Sequence, residues 1–214
     1  NEMLDFPLRF FITFFKNHGL LSINNRPQWR VITGGSSAYI APLTASFKDK
    51  IHLNTAVQKV IRINQQVQIH STRGVEQFDA VIFACHSDTA LQLLNEPSAL
   101  ERELLTALPY ADNDVVLHTD ITRLPQRKTA WASWNYNLNA NQRASLTYNM
   151  NILQGIQSET TFCVSLNQTD WIAPDKILAR FTYAHPQFSL SGVAAQARWT
   201  EISGVNNTYF CGAY

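Results

Sequence analysis

The stretch VQKVIRINQQVQIHSTRGVEQFDAVIFA, residues 57–84, decides how this chain is read. Val57, Val60, Ile61 and Ile63 form one β-rich run, and in the next Val67 and Ile69 alternate with polar residues. Asn64-Gln65-Gln66 and Arg73-Gly74 are the turn residues between the runs, so the spacing predicts a small antiparallel meander. Asp79-Ala80-Val81-Ile82-Phe83-Ala84 follows at once. Its apolar run is the pattern of a strand buried on both faces of a parallel sheet. Open α/β sheets hold ligands at the carboxyl ends of their strands, which makes Ala84 a candidate contact.

Upstream of the meander, the first element reads as a helix. Asp5 is placed to cap it, Pro7 lies in its first turn, and Gly19 ends it after Lys16 and His18. Phe6, Phe10, Phe11, Phe14 and Phe15 spread over a broad face that needs cover. A short extended piece, Trp29 to Thr33, leads into Gly34-Gly35-Ser36-Ser37. A second helix follows with Ile40, Leu43 and Phe47 at helical spacing. Downstream, helices are expected from Asp88 to Leu94 and from Ser98 to Leu108. The second carries a capping box, Ser98 with Glu101, and Pro109 stops it. Five strands are expected next: Val115 to Thr119, Ala130 to Tyr136, Ser145 to Met150, Thr161 to Leu166 and Ile177 to Tyr183. A short helix at Ile152 to Ile156 interrupts them. A helix at Val193 to Ile202 and an apolar strand at Thr208 to Ala213 close the chain.

Composition excludes several classes. Seventeen basic against sixteen acidic residues leave a net charge of +1, so there is no electrostatic case for nucleic acid. The apolar segment from Phe10 to Phe15 is bounded by Arg9 and Lys16. It is too short to span a membrane and has no cleavage site for a signal peptide. Cys85, Cys163 and Cys211 are odd in number, far apart and in no metal-ligand spacing. They read as reduced and mostly buried, which fits a cytoplasmic protein.

Larger units now show. Residues 51–84 and the last strand have the texture of a nucleotide-binding α/β domain, but no Gly-x-Gly-x-x-Gly occurs. Several runs together are similar to the flavin-containing amine oxidoreductases, in a bacterial branch. They are Asn17-His18-Gly19-Leu20-Leu21, Arg26-Pro27-Gln28-Trp29-Arg30-Val31 with Gly34-Gly35-Ser36, Phe78 to His86, Leu117-His118-Thr119-Asp120, Ala130 to Tyr136, Thr147 to Asn151, His185-Pro186 and Cys211-Gly212-Ala213-Tyr214.

The resemblance implies an internal fragment. The Gly-rich motif that holds the FAD pyrophosphate and a late flavin-contacting segment would both be missing. The fold it implies is α+β: a mixed-sheet substrate-binding domain with flanking helices, plus the meander and parallel strands of an FAD-binding Rossmann-like domain. The expected division is residues 1–50 as a helical segment and Gly-Gly turn, 51–95 as partial FAD domain, 96–190 as substrate domain, and 191–214 returning to the FAD domain. FAD is the implied cofactor of the intact protein, not held by this chain alone. A small apolar substrate is implied as partner, and the truncated fragment is expected to self-associate through exposed apolar surface. The absent Gly-rich loop leaves an alternative open: a non-catalytic domain that binds an apolar, lipid-like ligand, or an interaction module.

The resemblance also distributes site residues. Val57 would lie against the adenine, Ala84 and Gly212 would pass under the dinucleotide, and the turn at Gly34 and Gly35 would lie near the flavin. Trp134, Tyr136 and Tyr148 would wall the substrate cavity. By strand alternation Trp134 and Tyr136 share a face, with Trp131 on the other. Many members carry a lysine on the strand that opens the substrate domain. Asp114 stands near that place, and no lysine lies between Glu101 and Leu117, so no catalytic residue is assigned. Cys85, His86, Ser87 and Asp88 do not make a triad, because neighbours on an extended segment point apart and Ser87 or Asp88 suits a helix cap. His118 and Asp120 form a tight pair, read as lying at the surface of an edge strand rather than as a metal site or relay.

Overall fold

The computed structural model describes residues 6–25, 27–28, 30–137 and 145–212. Its chain divides into two compact units. One comprises Asn1–Arg30, Ile40–Tyr110 and Pro186–Tyr214, and the other comprises Val31–Tyr39 and Ala111–His185.

The first unit opens with helix α1, Leu8–Asn17, with Pro7 at its N-cap position. Asp5, the expected cap, lies outside the described residues. At the other end Gly19 takes φ +64. Its N–H bonds to the Lys16 carbonyl at 3.0 Å and that of Leu20 to the Phe15 carbonyl at 2.9 Å, a Schellman close. Phe188 supplies part of the cover that the phenylalanines need: its ring stacks on Phe10 at 4.2 Å and meets Phe6 edge-on at 5.9 Å. Leu8, Phe11 and Ile12 stay exposed. Helix α2, Ile40–Thr44, is a single turn. The apolar positions that predict a longer helix, Ile40, Leu43 and Phe47, are all exposed.

The meander forms as the sequence reading expects, from β1 (Val57–Ile63), β2 (Gln66–Ser71) and β3 (Gly74–Phe78), antiparallel in that order. Asn64 and Gln65 both take positive φ, the two-residue turn whose twist matches the flanking strands. Strand β4 is Val81–Phe83, and helices α3 (Ser87–Leu93) and α4 (Ala99–Thr106) follow. The capping box at Ser98 and Glu101 is present. Neither Ser87 nor Asp88 caps α3. His86 holds that position; Ser87 donates instead to the Leu108 carbonyl at 3.1 Å, and Asp88 accepts from the Thr89 N–H.

All five strands expected in the next region occur: β5 (Tyr110–His118), β6 (Trp134–Asn137), β7 (Ser145–Asn149), β8 (Cys163–Leu166) and β9 (Ile177–Pro186), with the short helix α5 at Met150–Gln154. They make one sheet of order β6-β7-β8-β5-β9. Trp131 precedes β6 rather than lying in it. The extended piece expected before Gly34 is not a strand in its described residues; Trp29, at its start, lies outside them.

Helix α6, Leu190–Ala197, and strand β10, Thr208–Phe210, return to the first unit. Ala213, expected in that strand, lies outside the described residues. β10 pairs in parallel with β4. The strand at residues 81–83 is not buried on both faces: Val81 and Phe83 are buried, but Ile82 is 65% exposed and its register partner Tyr209 is exposed too. One face of this pair packs into a core with Val60 and Val67 of the meander, Ala90, Leu94, Leu104, Leu105, Ala195 and Ile202.

One ion pair ties the meander to the helices. Arg62 on β1 grips Glu101 on α4 with two bonds, 2.5 and 3.1 Å, and Glu101 also accepts the Ser98 N–H at 2.7 Å. Burial pushes the Glu101 carboxyl up, but Arg62 and Ser98 outweigh it and hold it below the usual range. Removing one partner strands the other without its counter-charge. Arg62→Ala is therefore expected to lower unfolding free energy by about 3 kcal/mol in urea titration, and a loss under about 1 kcal/mol would contradict this role.

Candidate functional site

Cross-strand partners share a face of a sheet, so the register of the five-stranded sheet sorts its side chains into two sets. One face carries Trp134, Tyr136, Leu146, Tyr148, Val164, Leu166 and Leu117. The other carries Asn135, Ser145, Thr147, Asn149, Cys163, Ser165, Val116 and His118. Hydropathy alone would bury the first and wet the second. The structure buries all eight of the second set; on the first face Val115, the partner of Leu166, is buried and most of the rest half-buried, whereas Trp134 is 47% and Tyr136 58% exposed.

The cause lies in what covers the polar face. Irregular segments tied to it bring backbone groups that need partners away from water. Asn135 receives the Ala132 N–H at 3.1 Å and donates to the Ala132 carbonyl at 2.7 Å. Asn149 accepts the Ile152 N–H. Asp120 accepts from Thr122 through both its N–H and hydroxyl, and from the Ala173 N–H at 3.0 Å. With Lys176 3.8 Å away as well, these donors overcome burial and bring the Asp120 carboxyl down to about 2.

His118 and Asp120 are thus not a surface pair on an edge strand. Strand β5 lies between β8 and β9, and both side chains are buried. The Asp120 N–H points at His118 Nδ1 at 3.1 Å, so Nδ1 is bare and the ring proton sits on Nε2. Nε2 then donates to Ser165 Oγ at 2.8 Å, and Ser165 lies 2.7 Å from Thr147 Oγ1. Burial holds the His118 pKa below its usual value, and Arg123 adds to this against the opposing pull of Asp120. The chain of bonds fixes a neutral histidine. The sequence does not reveal this network directly, though the alternation of Ser145, Thr147 and Asn149 marks the face on which it lies. No group of metal-ligating side chains is assembled among the described residues.

On the open face, Trp134 meets its register partner Tyr148 edge-on at 6.3 Å. Burial raises the Tyr148 hydroxyl pKa. Trp134, Tyr136 and Tyr148 therefore lie together on the accessible side, as alternation requires. Trp131 instead donates its indole N–H to the Pro125 carbonyl at 2.8 Å. Gly34 and Gly35 belong to the same unit, in a turn closed by the Gly35 N–H on the Ile32 carbonyl. Both take φ near +90, and a Cβ on Gly35 would meet no atom within 4 Å.

The remaining candidates lie in the first unit. Val57 heads β1 and is partly exposed. Ala84 follows β4 and is exposed, and the Cys211 N–H beyond β10 bonds to the Phe83 carbonyl at 2.9 Å. At Gly212 a Cβ would fall 1.9 Å from the Cys85 carbonyl oxygen. Glycine is required there because one backbone crosses another, whatever else it contacts. Among the cysteines Cys163 is buried, Cys85 half-buried and Cys211 exposed.

The fold is shared with solved enzymes. The CLA-producing fatty acid isomerase from P. acnes matches with a TM-score of 0.59 and 14% identity, over 84% of this chain and 47% of its own. Wild-type putrescine oxidase bound to putrescine matches with a TM-score of 0.55 and 11% identity, over the same shares. This chain spans about half the length of those proteins. It belongs to the family of flavin containing amine oxidoreductases, whose model its residues 6–120 match. No curated protein matches it. No helix among the described residues is long and apolar enough to cross a membrane.

Two predictions follow from this geometry. His118 ionises below its ordinary 6.5 and Asp120 below its ordinary 3.8. The unfolded chain therefore binds more protons, and stability falls as pH drops, first below about 6.5 from His118 and further below about 4 from Asp120. Urea midpoints between about pH 8 and 5 should decline in the wild type and flatten in His118→Gln; an equal slope in both would refute the assignment. Gly212→Ala should destabilise the fold by about 1–3 kcal/mol of overpacking or more and so lower the melting temperature, and an unchanged melting curve would show that Cys85 can move aside.

Proposed function

We propose that this chain is the substrate-side portion of an FAD-dependent oxidoreductase of the amine-oxidase type. In the intact protein a hydride passes from an apolar or amine-bearing substrate, and accepting it is the chemistry that bound FAD supplies. The observation that carries the reading is the parallel pair β4–β10, whose carboxyl ends bear the small residues Ala84 and Gly212. That end of an open α/β sheet is where dinucleotides lie. Exposed Ala84 leaves room for a cofactor at that end of the pair. Gly212 is neutral evidence, since Cys85 already accounts for it.

The division of labour follows the two kinds of sheet. Residues 51–95 and 191–214 would contact the cofactor, with Val57 against the adenine, and residues 96–190 would hold substrate. Trp134, Tyr136 and Tyr148 would bind its apolar body and exclude water from it. Strand β5 carries no lysine, and Asp114 at the corresponding place is exposed. We therefore assign no proton-transferring residue. The protein's contribution is to orient substrate, with the redox chemistry left to the cofactor.

The test is visible absorption. The chain extended to its natural termini should purify with the spectrum of an oxidised flavin, and Val57→Asp or Ala84→Arg should remove it while circular dichroism stays unchanged. Residues 1–214 alone should take up little or no FAD. A folded, colourless extended protein that binds no added FAD would end this reading.

A further inference from the structure

The first unit holds an apolar cavity that reaches, at Cys85, Cys211 and Gly212, the end of the β4–β10 pair where the flavin reading places the cofactor. Its volume is about 430 Å3, within the roughly 300–1,000 Å3 of small-molecule sites. Leu104, Leu105 and Leu108 form one wall, and Ala195 and Ile202 another. Phe83 and Phe210, stacked at 5.5 Å, line it from the β4–β10 pair. Helix α4 contributes two adjacent buried residues, Leu104 and Leu105, and the capping box at Ser98 fixes where that helix begins.

The polar inventory is short. The Ser87 hydroxyl is already committed to the Leu108 carbonyl. The Cys85 thiol faces the cavity, and burial raises its pKa, so it is a neutral group there. Gln196 also lines it, and its side chain makes no hydrogen bond among the described residues. No acidic, basic or histidine side chain lines it. A charged ligand would surrender its hydration and meet no counter-charge, a cost of several kcal/mol. FAD, with its pyrophosphate, is the wrong occupant for the same reason.

We propose that this cavity binds a neutral small molecule with an apolar body and a single hydrogen-bonding group, a hydroxyl or carbonyl, that pairs with Gln196. The walls reward burial of the body. The free amide satisfies one polar group and no more. Gly212 is shared with the flavin reading, but binding is tested on residues 1–214 alone, which that reading expects to take up little or no FAD, so the two readings fail separately.

The experiment titrates the 214-residue chain with N-phenyl-1-naphthylamine, a neutral apolar fluorophore, and then competes it off with decanol or decanoate near pH 8. Saturable one-to-one binding is expected, with decanol displacing the fluorophore at a concentration at least about tenfold below decanoate. Leu105→Trp, which fills the space, should weaken binding at least about tenfold with circular dichroism unchanged. Cysteine labelling supplies a reading that needs no variant. Modification by N-ethylmaleimide, followed by peptide mass mapping, should slow severalfold at Cys85 and also at Cys211, which lines the cavity too, when the fluorophore is bound, and leave buried Cys163 untouched. Unsaturable or multiple binding, equal potency of decanol and decanoate, or no protection of Cys85 would each overturn the proposal.

Discussion

A backbone that leaves regular structure cannot be buried without new partners for its N–H and C=O groups. That constraint shapes the five-stranded sheet. Its covered face is polar because neighbouring backbone needs partners there: Asn135 and Asp120 bond loop N–H groups, Asn149 caps helix α5, and His118, Ser165 and Thr147 bond one another. The apolar and aromatic residues are displaced to the opposite, accessible side. The open wall of Trp134, Tyr136 and Tyr148 is therefore a consequence of how the other side is closed. An account of substrate binding that starts from the aromatics alone misses the part of the structure that puts them there.

The first unit solves the opposite problem. It has apolar residues to bury and helices to bury them against, with the polar work concentrated in one place. Arg62 and Glu101 join the meander to α4 through the same carboxylate that closes the capping box. A single buried acid thus sets both where the helix starts and where it docks. The exposed Ile82 and Tyr209 mark a limit of this packing: a parallel pair is ordinarily covered on both faces, and here one remains open.

Much of this was legible in the residues. Asn64-Gln65 announced the turn of the meander, Ser98 and Glu101 the start of α4, and the five strand segments the second sheet. What alternation cannot say is which of two faces will be covered, because both obey the same period. Trp134 and Tyr136 were correctly placed on one face, yet only the cover decides that this face is the accessible one. His118 and Asp120 look like a surface pair until β9 is seen to pair outside β5. Arg62 finds Glu101 across a separation that no local pattern spans. The same limit holds for Ile82: an apolar run declares a strand but not the number of neighbours it will have.

The discontinuity of the first unit bears on the order in which the chain folds. Strand β4 cannot meet β10 until everything from β5 to β9 has been traversed, and closing so long an unfolded loop carries an entropy that grows with its length. The Gln187 N–H bonds to the Pro109 carbonyl at 2.8 Å, so the two ends of the excursion emerge side by side. Once β5 and β9 have zipped, β10 is delivered to β4 as though the intervening residues were a short hairpin. Pairing of those two strands is the kinetic gate through which the parallel pair, and the core it seals, must form.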